Sequence, residues 1–330
     1  MPDVAHHCVG VVAIGRNEGD RLLRCLNSLT RLNLPVVYVD SNSTDGSVDA
    51  AKAAGASIVE LDVTIPFTAA RARNAGLQTL RTSYPETALV QFVDGDCEVV
   101  ASWIPAAARF LAAHPDIAAV CGRRRERFVG ASVYNGLCDV EWNTSVGEAE
   151  ACGGDAMFRM PAIVAAGGFD PAMIAGEEPE LCSRLRAAGW RIFRLDEEMT
   201  VHDAAMLRFG QWWRRAVRSG FGYAQAWAAT RRRSAPLYGR ELTRISGWAV
   251  ALPIASLTGA MLVHPALLAL APAALSMQIA RMAARDGPGR LFAWQRATLL
   301  SLGRFAELQG VLRFAWRSVA GRTGGTIVYK

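Results

Sequence analysis

The sequence predicts an α/β fold, a mostly parallel sheet flanked by helices, joined to a basic, α-helical C-terminal region. Three observations lead there. Short apolar, β-branched runs alternate with helical periods through the first hundred residues. Residues 245–280, 36 in all, contain no Asp, Glu, Lys or Arg. Charge is divided between the two ends: from Met206 onward stand 18 basic and 3 acidic residues, net +15, which leaves net −9 on the first 205. A chain of 330 residues holds one large α/β domain with an appendage, or two domains. The expected division is an α/β domain over residues 1–230 and a helical region over residues 231–330.

The first element is "VGVVAI", residues 9–14, a strand run followed by the polar loop "GRNEG". "DRLLRCLNSLTRL" then sets Leu22, Leu23, Leu26 and Leu29 at helical intervals. "PVVYVD" reads as a second buried strand, and "SNSTDGSVDAAKAAGA" as a loop, an N-cap and an Ala-rich helix. "SIVEL" and "ALVQFVD" are further strands, with the helix "TAARARNAGLQTLRTS" between them. Such alternation buries a sheet under helices on both faces, so its strands are apolar throughout. Later come the glycine-ended helices "MPAIVAAGGFD" and "PELCSRLRAAGW" and the strand "RIFRLD".

A membrane-spanning helix needs about 20 apolar residues. His264 and Pro265 divide residues 245–280 into arms of 19 and 15, with Arg240 and Arg244 outside one end and Arg281 and Arg285 outside the other. Basic flanks at both ends fit a hairpin whose ends stay in the cytosol. The short second arm fits a re-entrant or tilted hairpin as well as two spans, and a hairpin buried in a dimer interface would have the same composition. In the predicted amphipathic helix, residues 291–319, Phe305, Leu308, Leu312, Trp316 and Val319 recur at steps of three and four beside Arg313 and Arg317. That pattern suits a membrane interface, or packing on the α/β domain. Basic charge also attracts nucleic acid, but here it coincides with the most apolar segment, which favours a membrane surface and no nucleic acid. The seven cysteines are scattered without a C-x-x-C pair, as expected of buried thiols in a reducing compartment rather than a zinc or dithiol site. The start "MPDVAHH" lacks a basic-then-apolar leader, so a cytosolic N-terminal part is expected.

Residues able to do chemistry gather at strand ends. "FVDGDCEVV" closes a strand with Asp94 and Asp96, two carboxylates at the edge where open α/β sheets bind ligands. Hard divalent ions take carboxylates together with substrate phosphates, although an Asp-Gly turn reads the same locally. "VVAIGRNEG" and "VVYVDSNSTDGS" share the strand-then-polar-loop form, and "AGEEPELCSRLRAAGWRI" supplies a downstream acidic pair. In this order the motifs resemble the family 2 glycosyltransferases of GT-A fold, which is Rossmann-like, over roughly residues 8–225.

The resemblance implies a role for each match. Asn17 and Glu18 correspond to the Asn-Glu loop of the donor site, Asp40 to the carboxylate that binds the nucleotide base, and Asn42 to the loop after it, where two positions depart from the family's pattern. Arg71, Arg73 and Asn74 fall on the diphosphate side. Asp94 and Asp96 match the metal motif, Asp96 as direct ligand to Mn²⁺ or Mg²⁺ and Asp94 nearer ribose and sugar. His202 matches a histidine that ligates the metal in some relatives; a lone histidine is as readily structural. Asp155 falls in the segment that meets donor sugar and acceptor. Glu178 stands where the family has an Asp general base, with Glu177 and Glu180 as neighbours in register. "QWWRR", with Gln211, Trp212, Arg214 and Arg215, resembles the acceptor-side Q-x-x-R-W of processive synthases, but Arg215 replaces the Trp, which implies single-sugar transfer.

The expected activity is therefore inverting, metal-dependent transfer of one sugar from a nucleoside-diphosphate donor to an acceptor hydroxyl. The hairpin points to a lipid-linked saccharide acceptor in polysaccharide or envelope glycan assembly, at the cytoplasmic face of the inner or plasma membrane. Two other classes compete. A nucleotidyltransferase would carry a Gly-rich, basic loop after the first strand, of which "GRNEGDRLL" is a poor version. A non-catalytic membrane adaptor with a degenerate site would show no metal-dependent nucleotide binding.

Overall fold

The computed structural model describes residues 8–321. The described residues divide into two units: residues 8–129 with Cys138–Ala205, and Gly130–Leu137 with residues 206–321. The first elements alternate: β1 (Val9–Gly15), α1 (Asp20–Thr30), β2 (Val36–Asp40), α2 (Ser47–Ala53), β3 (Ser57–Glu60), α3 (Ala69–Ser83) and β4 (Leu89–Asp94). There follow β5 (Cys97–Val99), α4 (Trp103–Ala113), β6 (Ile117–Glu126), α5 (Val133–Glu141), which the division cuts, β7 (Gly147–Glu148), β8 (Ala156–Arg159), α6 (Met160–Ala165), α7 (Glu177–Ala187) and β9 (Arg191–His202).

The strands form one mixed sheet in the order β3-β2-β1-β4-β8-β6-β9-β5, with β7 beside β9. Its β3-β2-β1-β4 half is parallel. β8 enters antiparallel between β4 and β6, and β6 runs parallel to β9. β1 and β2 are buried nearly throughout because helices cover them. Helix α3 lies close on β1, since a Cβ on Gly76 would stand 2.3 Å from the Val12 side chain. Beneath, Phe92, Phe158 and Phe169 meet edge to face with centroids 5.2–6.3 Å apart.

Register sets the functional rim. Gly15 pairs with Asp40 and Ile14 with Asp94, so β1, β2 and β4 end level. The predicted strand "RIFRLD" proves to be only the first half of β9, a strand of 12 residues. Its far end pairs His202 with Cys97 on one side and Glu126 on the other.

The second unit is helical: α8 (Phe209–Thr230), α9 (Gly239–Ser246), α10 (Leu252–Leu262), α11 (Leu270–Asp286) and α12 (Leu291–Val319). Two continuous helical arms, Gly239–Leu262 and Pro265–Asp286, have the length and composition to cross a membrane, with 24 and 22 residues. The second arm is thus not short. Counting apolar residues stops at Arg281, whereas the helix continues through Arg285, and arginines near a span end can snorkel. The arms break at His264, whose Nδ1 accepts from the Ala266 amide, and the Ser256 hydroxyl joins them by donating to the Leu267 carbonyl at 2.6 Å. Met261, Leu262, Val263 and Met277 are 76%, 84%, 78% and 73% exposed, unlike the core of a water-soluble bundle.

Helix α12 packs on α8 through small residues rather than through its predicted apolar stripe. Ala293, Ala297, Gly303, Ala306 and Gly310 are buried, whereas Leu312, Trp316 and Val319 are exposed. A Cβ on Gly310 would lie 2.0 Å from the Val217 carbonyl oxygen, and one on Gly220 equally close to that of Glu307. Gly310→Ala gains about 1 kcal/mol of helix propensity, but the clash with backbone forces the helices apart at a cost of order 1–3 kcal/mol. Its melting temperature in detergent is therefore expected to fall by several degrees, and further in Gly310→Leu; a rise in both would show that the contact is slack.

Candidate active site

The loops after β1 and β2 brace each other. Asn17, at φ +54°, accepts from the Thr44 amide at 2.7 Å and donates its own amide to the Ser43 hydroxyl. Glu18 pairs with Arg21 at 2.8 Å. Asp40 is buried and accepts from the Tyr38 hydroxyl and the Ser43 amide, while Asn42 turns the loop at φ +65°. These residues shape one polar floor at the ends of β1 and β2.

The basic residues of α3 separate. Arg71 donates to the carbonyls of Ile65 and Asp62, which ties it to the loop before the helix and leaves it outside the acidic cluster. Asn74 bonds the amide and carbonyl of Phe169 with its two ends. Arg73 turns inward instead. Its guanidinium, 3% exposed, donates to Asp94 and Glu177 at 2.9 Å and stands 3.0 Å from Glu178.

The acidic pair on α7 is not equivalent. Glu177 is buried against Arg73, while Glu178 reaches solvent in part. Burial and then the Glu177 charge push the Glu178 carboxyl up to about 7, against the pull of Arg73. Glu180 faces elsewhere, paired with Arg184 at 2.8 Å. Gly154 closes the group: a Cβ there would meet Arg73 at 2.5 Å, Asp94 at 3.0 Å and Glu178 at 3.2 Å.

Asp155 is fully buried, so it supports the site from beneath. It accepts from the Asp94 amide at 3.0 Å and the Thr200 hydroxyl at 2.7 Å, and pairs with Arg124 at 2.8 Å. Burial disfavours ionisation of Asp94, but Arg73 and then Arg124 outweigh it and hold the carboxyl below its usual range.

Asp96 meets a histidine instead. Its Oδ1 lies 3.3 Å from His202 Nε2, and His202 Nδ1 lies 3.5 Å from the buried Glu126 carboxylate. Burial opposes protonation of His202, yet Asp96 and Glu126 prevail and push it up to about 9. Ligand atoms of Asp96, Cys97 and His202 all lie within 4.8 Å of one another. Burial and the Asp155 charge keep the Cys97 thiol far above its ordinary range, so it offers no thiolate. One carboxylate and one imidazole that can lose its proton suit a hard divalent ion that substrate oxygens complete. Of the two aspartates, Asp96 joins His202 and Asp94 joins the arginines.

Gln211, Trp212, Arg214 and Arg215 lie in the second unit. Gln211 caps α8 by accepting from the amides of Leu207 and Arg208, and Trp212 is buried and stacks on Tyr134. Arg214 is exposed. Sequence reasoning missed Arg124, Glu126 and Gly154. "CGGD" hinted at the last; the other two carry no local signal, because they reach the site only through β6.

Residues 11–142 match the profile of the Glycosyl transferase family 2. Similar solved structures include the mannosyltransferase PcManGT from Pyrobaculum calidifontis, in complex with GDP-Man and Mn²⁺, at 21% identity over 92% of this chain and 87% of that one, TM-score 0.60. Another is TarS residues 1–349 from S. aureus, at 14% identity over 93% and 91%, TM-score 0.53. No curated protein matches the sequence. With the carboxylate-lined rim, the match over residues 11–142 and the fold shared with these structures support a glycosyltransferase of GT-A fold.

Proposed function

We propose that the enzyme transfers a single sugar, with inversion, from a nucleoside-diphosphate sugar to an acceptor hydroxyl. The observation that carries this reading is that Asp96 meets His202 beside a cluster in which only Glu178, of the α7 acids, is both accessible and raised toward neutral pKa. The mannosyltransferase of similar fold was solved with GDP-Man and Mn²⁺, which supports a metal and a nucleotide-sugar donor here.

Asp96 and His202 would hold a divalent ion, and Asp94 would face ribose and sugar. Such an ion supplies charge stabilisation to a leaving diphosphate. The floor of Asn17, Glu18, Asp40 and Asn42 orients the nucleotide. Glu178 takes the proton of the acceptor hydroxyl while the acceptor oxygen bonds the anomeric carbon, and the bond to the diphosphate breaks on the opposite face. Glu177 keeps Arg73 in place, and Arg73 fixes Glu178. Gln211 and Trp212 act as scaffold in the first turn of α8, which leaves Arg214 and Arg215 as acceptor-side candidates.

The exposed arms and their arginine flanks support a membrane-associated enzyme whose acceptor is a lipid-linked saccharide at the cytoplasmic leaflet. Release of the full chain from membranes by high salt alone would rule out insertion of the arms.

Asp96→Asn is expected to remove Mn²⁺-dependent stabilisation by nucleoside diphosphate and to abolish transfer with the fold intact; undiminished turnover in excess chelator would refute the metal role. Glu178→Gln is expected to bind donor normally and lose about 10²–10⁴-fold in kcat. In the wild type, kcat/KM should rise with pH through an apparent pKa near 7, because Glu178 accepts a proton only once ionised. If Glu177→Gln proves the dead but folded variant, the base is Glu177.

A further inference from the structure

Glu126 has no part in the scheme above, yet its carboxylate is wholly buried and turned toward the rim. It ends β6, directly across from His202 in the β6–β9 register. One oxygen accepts from the Phe128 amide at 3.1 Å; the other accepts from the Ala204 amide at 3.0 Å and lies 3.5 Å from His202 Nδ1. A buried carboxylate costs several kcal/mol unless charged or donor groups surround it. Two backbone amides and an imidazole surround this one. On the other side of the ring, Nε2 faces Asp96 at 3.3 Å, and Trp142 meets the ring edge to face at 4.7 Å between centroids. The imidazole is therefore held at both nitrogens and across its face.

We propose that Glu126 is the positioning residue of the metal site: it receives the Nδ1 proton of His202, fixes the tautomer that leaves the Nε2 lone pair toward Asp96, and makes that nitrogen a better donor. This rests on the reading that Asp96 and His202 hold a divalent ion. A ligating histidine turns its second ring nitrogen to a carboxylate or carbonyl, and loss of that partner typically lowers metal affinity about 10–100-fold. Glu126 also joins the two segments that carry the site. Its amide contacts are with the chain after β6 and the chain after β9, so the same carboxylate that orients His202 sets where β9 ends.

The test is Mn²⁺ binding by titration calorimetry on the full chain in detergent, without nucleotide, for wild type, Glu126→Gln and Glu126→Asp, with circular dichroism as the check on folding. Glu126→Gln is expected to bind Mn²⁺ about 10–100-fold more weakly, and Glu126→Asp, which keeps the charge, to fall between it and wild type. Folded Glu126→Gln within twofold of wild type, or Glu126→Asp as weak as Glu126→Gln, overturns the proposal. Should Glu126→Gln not fold, ¹⁵N NMR of His202 in the Mg²⁺-loaded wild type decides: a proton on Nδ1 is expected, and a bare Nδ1 overturns it. Absence of Mn²⁺ binding by the wild type would instead refute the metal reading itself.

Discussion

The guanidinium of Arg73 is the contact on which the acidic half of the site depends. It is almost completely buried and serves Asp94, Glu177 and Glu178 at once. Three carboxylates cannot stay close together in a poorly solvated place without a cation between them, and breaking such a pair by removing one member costs about 3–5 kcal/mol. The charges do not cancel evenly. Asp94 has Arg124 as a second cation and stays ionised, whereas Glu178 competes with Glu177 for a single charge and ionises late. One shared arginine thus separates a permanently anionic group from one able to trade a proton near neutrality. Gly154 follows from the same crowding, since no side chain fits among Arg73, Asp94 and Glu178.

The second unit obeys different physics. Its apolar arms expose large side chains, and its long closing helix spends its small residues on internal packing while leaving Leu312, Trp316 and Val319 outward. A polar solvent would penalise that arrangement by about 25 cal/mol per Å² of apolar surface; a bilayer removes the penalty. The division of charge, net −9 before Met206 and net +15 after it, follows the same contrast: the α/β part carries the carboxylate-lined rim, and the helical part carries the charge that an anionic surface attracts.

Much of this was legible in the residues. "VVAIGRNEG", "VVYVDSNSTDGS" and "FVDGDCEVV" each showed a strand running into a polar loop, and parallel pairing then aligns their ends. The break at His264 and Pro265 was legible because proline cannot continue a helix. What was not legible depends on long-range register. "RIFRLD" announced a strand, but nothing local said that it continues to His202 or that Glu126 lies opposite. Arg73 matched a motif on the diphosphate side, and only the fold shows that its guanidinium reaches the acids of α7 and β4. The stripe of α12 was visible as a period of three and four, but periodicity shows that a face exists without saying which face is covered. The buried glycines and alanines of α12 carry no hydrophobic signal, and they turned out to be the packed side.

Asp155 joins three strands beneath the rim, through the Asp94 amide on β4, Arg124 on β6 and the Thr200 hydroxyl on β9. Having no exposed surface, it gains nothing from water, and its bonds are made before any ligand arrives. The Asp94 side and the Asp96–His202 side of the rim therefore cannot drift independently. A ligand at this rim would meet a surface whose ordering entropy was spent during folding, so association would cost little further freedom in the protein and the tightness of binding would be set chiefly by the fit of the ligand.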